Sequence, residues 1–184
     1  LCAKNSARWG VTFFAANTYE AVVVPILADF HPDSVNTLVD HSESTILLTD
    51  SDIWAKLDIT KMPSVKAVVS SSDFSLLYAA DEKIQEANDN IDQLFAAKYP
   101  KGFSAADVSY PTDNDKDLAI INYTSGTTGF SKGVMTPANA LAGNIIFGLT
   151  TKLVYPGCRH VAFLPLAHAY GCAFDFLACL AAGG

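Results

Sequence analysis

Between positions 123 and 133 the sequence reads YTSGTTGFSKG, which groups hydroxyls at Thr124, Ser125, Thr127 and Thr128, glycines at Gly126 and Gly129, and the ammonium of Lys132. Phe130 is the one bulky apolar side chain within that loop. The chemistry this favours is anion binding. Glycines let backbone N–H groups approach phosphate oxygens, hydroxyls add donors, and the lysine supplies compensating charge. Two familiar phosphate motifs do not fit. Counting from Gly126, the Walker pattern needs a glycine where Ser131 stands and a hydroxyl where Gly133 follows Lys132. The dinucleotide pattern needs a glycine two residues before Gly126, and Thr124 is there instead. A generic anion loop remains.

Such a loop needs rigid elements on either side. The apolar run 118–123 predicts a strand delivering it, 133–136 a short strand leaving it, and Thr136-Pro137 the start of a helix reaching about residue 151. Upstream, Asn5 or Ser6 can cap a helix running to about residue 17, with Trp9, Phe13 and Phe14 on one face. A β-branched strand at 22–26 follows, and then a helix opened by His31-Pro32-Asp33 with Val35, Leu38 and Val39 as its apolar stripe. Strands are expected at 45–49, 65–69 and 161–164, and a short helix capped by Asp50 or Ser51. The segment 82–99 predicts one long amphipathic helix, and 100–116, rich in Pro, Gly, Ser and Asp, the best internal linker. Near-continuously apolar strands alternating with helices predict a layered α/β fold, a mostly parallel β-sheet flanked by helices on both faces.

Half of the 184 residues are hydrophobic and 17% are charged, so much of the chain is built for burial. A net charge of -7 would repel a phosphodiester backbone, which argues against nucleic acid as a partner. Cys2, Cys158, Cys172 and Cys179 form no C-x-x-C pair, and the apolar flanks of the first and last two suggest reduced core thiols rather than a disulfide framework. No targeting run follows the amino terminus. The apolar stretch 161–184 is interrupted by Pro165, His168, Gly171 and Asp175, so it suits a buried strand and helix better than a membrane span. His31, His41 and His160 have no carboxylate or cysteine at metal-ligand spacing, and no metal site is assigned.

YTSGTTGFSKGV resembles the signature of adenylate-forming enzymes, the acyl-activating, AMP-binding superfamily of acyl-CoA synthetases, luciferases and peptide-synthetase adenylation domains. Ser131 replaces the proline usual in that signature, which removes a backbone restriction but no donor. KNSARW at 4–9, VVVPI at 22–26 and LPLAHAYG at 164–171 also resemble family segments, in the family's order and over nearly the whole chain. Glu20 stands where many members carry glycine. The wording of LPLAHAYG is most similar to long-chain fatty acid-CoA ligases.

The resemblance implies part of an ATP-dependent acid–thiol ligase. A carboxylate attacks the α-phosphate of ATP to give an acyl-adenylate and pyrophosphate, and a thiol such as coenzyme A then displaces AMP, with Mg2+ accompanying the ATP. It implies that Thr124, Ser125, Thr127, Thr128 and Lys132 hold the β- and γ-phosphates, that Gly126 and Gly129 shape the loop, and that His168, Tyr170 and Gly171 belong to the substrate pocket. Residues 1–184 are then expected to be a partial N-terminal domain, trimmed at its front, without the carboxy-terminal domain, and inactive alone. Localisation is expected to be cytoplasmic or peripheral to a membrane, and an unfinished sheet is expected to promote self-association. The competing readings are a stand-alone anion-binding or interaction module and an adenylation domain for an amino or aryl acid.

Overall fold

The computed structural model describes residues 1–108, 115–124 and 132–183. Helix α1 (Ala7–Thr18) begins at Ser6, whose hydroxyl accepts the N–H of Trp9 at 3.1 Å, satisfying one of the helix's free donors. Just past its end the chain turns at Glu20 with φ of 60°. A left-handed backbone is what glycine adopts freely and a side chain resists by roughly 1–2 kcal/mol. Glu20 thus holds a glycine-like backbone conformation despite its side chain. Helix α2 (Pro32–His41) starts with proline in its first turn, capped by Nδ1 of His31, and buries Val35, Leu38 and Val39 as the periodicity predicted.

Strand β1 (Ile46–Thr49) is followed by α3 (Ser51–Trp54), β2 (Ala67–Ser70), β3 (Leu76–Ala79), α4 (Glu82–Asp89) and α5 (Ile91–Lys98). Strand β4 (Leu118–Thr124), β5 (Lys132–Pro137) and α6 (Ala138–Thr150) come next, and a π-helical segment (Gly171–Ala178) runs directly into α7 (Cys179–Ala182). The fold is α/β, as expected. β1 and β2 pair in parallel, whereas the short β3, which falls at the end of the polar junction after residue 70, adds antiparallel to β2. β4 and β5 form an antiparallel hairpin.

Two further extended segments connect these pieces. Cys2 bridges Thr49 in parallel and Val23 bridges Ile120 in parallel. The Leu1 amine donates to the Val24 carbonyl and Ile26 N–H donates back to the Leu1 carbonyl, each at 2.9 Å. Residues 22–26 thus occupy the expected strand position without a regular ladder, because Pro25 has no N–H to contribute. Consecutive residues here point to opposite faces: Cys2, Val24 and Ile121 pack with α2, whereas Ala3, Val23 and Ile120 pack with Trp9 and Phe13 of α1. Both faces are therefore covered.

Two expectations are corrected. The long helix over 82–99 is broken at Asn90, whose side-chain amide donates to the Glu86 carbonyl at 2.8 Å beside its own backbone N–H at 3.1 Å. Asparagine competes in this way with helix propagation. Its apolar residues Ile91, Leu94 and Phe95 are exposed. The strand expected at 161–164 is absent, and Val161 and Phe163 are 77% and 79% exposed, because no strand among the described residues pairs with that stretch and the Asn5 side chain bonds its end at Leu164 and Leu166 instead. The helix that follows does bury Cys172, Ala173, Leu177 and Ala178. Among the described residues no helix is long and apolar enough to cross a membrane.

Candidate functional site

Thr124 ends β4, Lys132 begins β5, and the two are register partners across the hairpin, so a hydroxyl and an ammonium side chain leave neighbouring backbone positions. Both are exposed. Ser125, Gly126, Thr127, Thr128 and Gly129 lie outside the described residues.

Beside Thr124 opens a cleft of about 330 Å³. Ile26, Leu27, Phe30 and Leu38 give it apolar walls, 122–124 of β4 form one side, and 167–169 form another. The structure thus brings Thr124 and His168 to one cavity, an arrangement that pairs an apolar pocket with a few convergent polar groups. Nδ1 of His168 accepts the Tyr170 N–H at 3.2 Å, which places the proton of the neutral imidazole on Nε2. Tyr170 itself does not line the cleft. Its ring packs on Phe174 with centroids 4.8 Å apart. Gly171 is buried, and a Cβ there would lie 2.4 Å from the Pro165 carbonyl oxygen, so the helix start is pressed onto the segment that carries His168. His168 N–H donates to that same carbonyl at 2.9 Å.

Sequence reasoning missed the residues that hold these parts together. Asn5 donates from Nδ2 to the Leu164 carbonyl and accepts the Leu166 N–H at Oδ1, both at 2.8 Å, so one amide serves 164–166 as a strand edge would. Asn122 reaches the Ala167 carbonyl at 3.4 Å. Tyr123 hydrogen-bonds His41 of α2 at 2.7 Å. The first and third partners are 159 and 82 positions apart in sequence, where no local pattern can reveal them. Asn5→Ala removes both bonds that the side chain makes to the Leu164 carbonyl and the Leu166 N–H, so it should cost about 1–2 kcal/mol. Asn5→Asp, which keeps the acceptor, should cost less. Urea midpoints read by tryptophan fluorescence check this order, and equal midpoints for the two variants and the parent would remove Asn5 from the account.

Elsewhere, Nε2 of His160 lies 2.9 Å from Asp175 Oδ1, a histidine–carboxylate pair separated by 15 residues that spacing had not revealed. The Asp175 side chain is only 4% exposed. Among the described residues no group of three or more His, Cys, Asp and Glu side chains is placed to hold a metal ion. All four cysteines are free, and burial pushes the Cys2 thiol to about 11 and the Cys172 thiol to about 12, far from nucleophilic readiness.

The family model of AMP-binding enzymes matches residues 1–184. The chain is 27% identical over 180 residues to fatty acyl-CoA synthetase A of Dictyostelium discoideum, covering 97% of this chain and 26% of that protein. It is 29% identical over 177 residues to human long-chain-fatty-acid–CoA ligase 6, covering 91% of this chain and 25% of that one. The chain therefore spans about a quarter of the length of these curated relatives. Among solved structures, ATP-bound MatB from Rhodopseudomonas palustris superposes with a TM-score of 0.71 at 22% identity, over 100% of this chain and 33% of its own. The inhibitor-bound N-terminal domain of FACL13 from Mycobacterium tuberculosis gives 0.73 at 19%, over 98% and 41%. At these identities the structural likeness speaks for the fold.

Proposed function

Because the chain belongs to the AMP-binding enzyme family, we propose that it is the phosphate-handling part of an ATP-dependent acid–thiol ligase acting on fatty acids. One observation carries this reading: Thr124, which lines a cleft that also contains His168, is the register partner of Lys132 across the hairpin. The fatty acyl-CoA synthetase names of the curated relatives support the choice of acid. The donor set fits a triphosphate: hydroxyls and no carboxylate among the described residues lining the cleft, and the exposed ammonium of Lys132 on the strand position paired with Thr124.

In this reading the carboxylate oxygen of the fatty acid forms a bond to the α-phosphorus of ATP as the bond to the bridging oxygen breaks, and pyrophosphate leaves. Lys132, with Thr124, Ser125, Thr127 and Thr128, holds the oxygens on which that leaving charge grows, while Gly126 and Gly129 let the backbone close around them. The apolar walls of Ile26, Leu27 and Phe30 exclude water from one flank of the site. His168 offers its Nε2 proton as a donor within the cleft. Mg2+ would enter as the counter-ion of the triphosphate, and the thiol of coenzyme A would displace AMP in the second step.

Carboxylate-dependent ATP–pyrophosphate exchange by the complete gene product tests the proposal. Palmitate should support exchange, and phenylalanine and benzoate should not. Exchange with an amino or aryl acid alone would overturn the fatty-acid assignment, and no exchange with any acid would point to an anion-binding module.

A further inference from the structure

His41 has no part in the loop motif, yet its Nδ1 lies 2.7 Å from the Tyr123 hydroxyl, with the two rings edge-to-face at 5.7 Å. Burial raises the pKa of that phenol, and a hydrogen bond from Ser42 acts in the opposite direction. With the phenol protonated as the donor, Nδ1 of His41 is the acceptor and the His41 proton is assigned to Nε2. The Tyr123 ring also lies over the facing strand. Tyr123 is the register partner of Gly133, where an added Cβ would lie 3.4 Å from Tyr123 Cε1 and 2.9 Å from Ile121 Cγ2. Glycine at 133 thus leaves room for the Tyr123 ring and the Ile121 side chain, and the ring is held between the Gly133 backbone and α2.

Tyr123 immediately precedes Thr124, and Gly133 immediately follows Lys132. Whatever fixes the 123–133 pair fixes the next pair along the ladder, which is Thr124 and Lys132. Asn122 faces the other way and is tied to the Ala167 carbonyl. The mouth of the hairpin is therefore anchored on both faces, toward α2 through Tyr123 and toward the His168 segment through Asn122.

We propose that His41 is a positioning residue for the triphosphate: by holding the Tyr123 hydroxyl it sets the spacing of Thr124 and Lys132 across the hairpin. The inference rests on the reading of those two residues as phosphate-handling groups. It assigns a role to a side chain on α2, far from the loop in sequence. Nδ1 acts as an acceptor here, so a side chain that offers an acceptor near the same point should replace it, and one that offers only a ring should not.

The test compares His41→Phe, His41→Asn, Tyr123→Phe and the double variant His41→Phe/Tyr123→Phe in the complete gene product. Loss of one hydrogen bond corresponds to roughly a fivefold change in an equilibrium constant. His41→Phe and Tyr123→Phe should each raise the KM for ATP in pyrophosphate exchange about fivefold, with the KM for palmitate unchanged. The double variant should be no worse than either single one, and His41→Asn should return toward the parent value. Amide exchange at 121–124 and 132–135 should accelerate in both single variants while α6 is unaffected.

Wild-type KM for ATP in the two single variants, additive effects in the double variant, or failure of Asn to rescue would each overturn the proposal. Unaltered amide exchange at 121–124 and 132–135 would also overturn it, with or without activity. Lys132→Ala in the same assay separates this from the underlying reading. Exchange lost in Lys132→Ala but normal in His41→Phe rejects only the positioning role, whereas normal exchange in Lys132→Ala rejects the phosphate site itself.

Discussion

In the complete gene product, Lys132→Ala should slow the proposed adenylation by about 100-fold or more while leaving fatty-acid affinity within twofold. The magnitude follows from the timing of the interaction. Charge on the pyrophosphate oxygens grows as the bond to the α-phosphorus breaks, so a cation placed beside them stabilises the transition state more than bound ATP, and loss of one such group typically costs about 10²–10³ in rate. In the free chain the ammonium is exposed at the start of β5 and contributes little to stability. The variant should therefore melt like the parent. Lys132→Arg retains the charge but spreads it over a wider planar group, so it should recover part of the rate. Single-turnover formation of acyl-adenylate, with fatty-acid binding measured separately by titration, checks both halves. An unchanged adenylation rate would exclude Lys132 from the chemistry, and a matching loss of fatty-acid affinity would show that the residue acts on general pocket structure.

Trp9→Ala should cost about 3–5 kcal/mol, enough to remove much of the stability of an ordinary domain. Trp9 is 0% exposed, stacks on Phe13 at 5.6 Å and meets Phe176 edge-on at 5.8 Å. At the adjacent Gly10 a Cβ would fall 2.9 Å from the Phe176 ring, so α1 and the π-helical segment are in close contact there. Truncating Trp9 would empty the centre of that contact, and the vacated volume cannot collapse because Gly10 already sits against Phe176. For a chain of this size the loss corresponds to a fall in Tm of roughly 10 °C.

Trp9→Phe should behave very differently. The indole Nε1–H is buried and has no hydrogen-bond partner among the described residues. An unsatisfied buried donor costs about 1–3 kcal/mol, and phenylalanine removes it while keeping an aromatic ring against Phe13 and Phe176. The net change should be within about 1.5 kcal/mol. Thermal unfolding of the two variants measures the contrast. Equal damage from phenylalanine and alanine would mean that the N–H is satisfied in solution.

What the sequence made legible is whatever depends on near neighbours. The strands flanking the loop are legible in the apolar run before it and the short run after it, and the helix after His31 in Pro32 and a stripe at Val35, Leu38 and Val39, because strands, caps and helical faces repeat over a few residues. The break at Asn90 was also local, but 82–99 has an unbroken apolar stripe, and the stripe outweighed one asparagine in the reading. The segment 161–164 has strand-like residues but no strand beside it, and composition does not specify a partner. The anchors of the site were illegible for a different reason. Asn5 and His41 act on residues more than half a chain and nearly half a chain away, and an asparagine or histidine shows no sign in sequence of which distant atom it will meet.

The alternation described for Cys2 and Ala3, Val23 and Val24, and Ile120 and Ile121 has a bearing on chain length. Each pair divides its side chains between two separate cores, so adding or deleting one residue within 22–24 or 118–121 would turn every following side chain of that segment to the wrong face. Exchanging one aliphatic residue for another costs a packing adjustment, whereas a change of length there reverses inside and outside together. Around 99–104, where the chain is largely exposed, the same change of length would reverse nothing. Room for variation in this protein is thus divided by kind: the extended segments accept new side chains but not new positions, and the outer connection after α5 accepts both, except at Gly102, whose φ of 84° favours glycine.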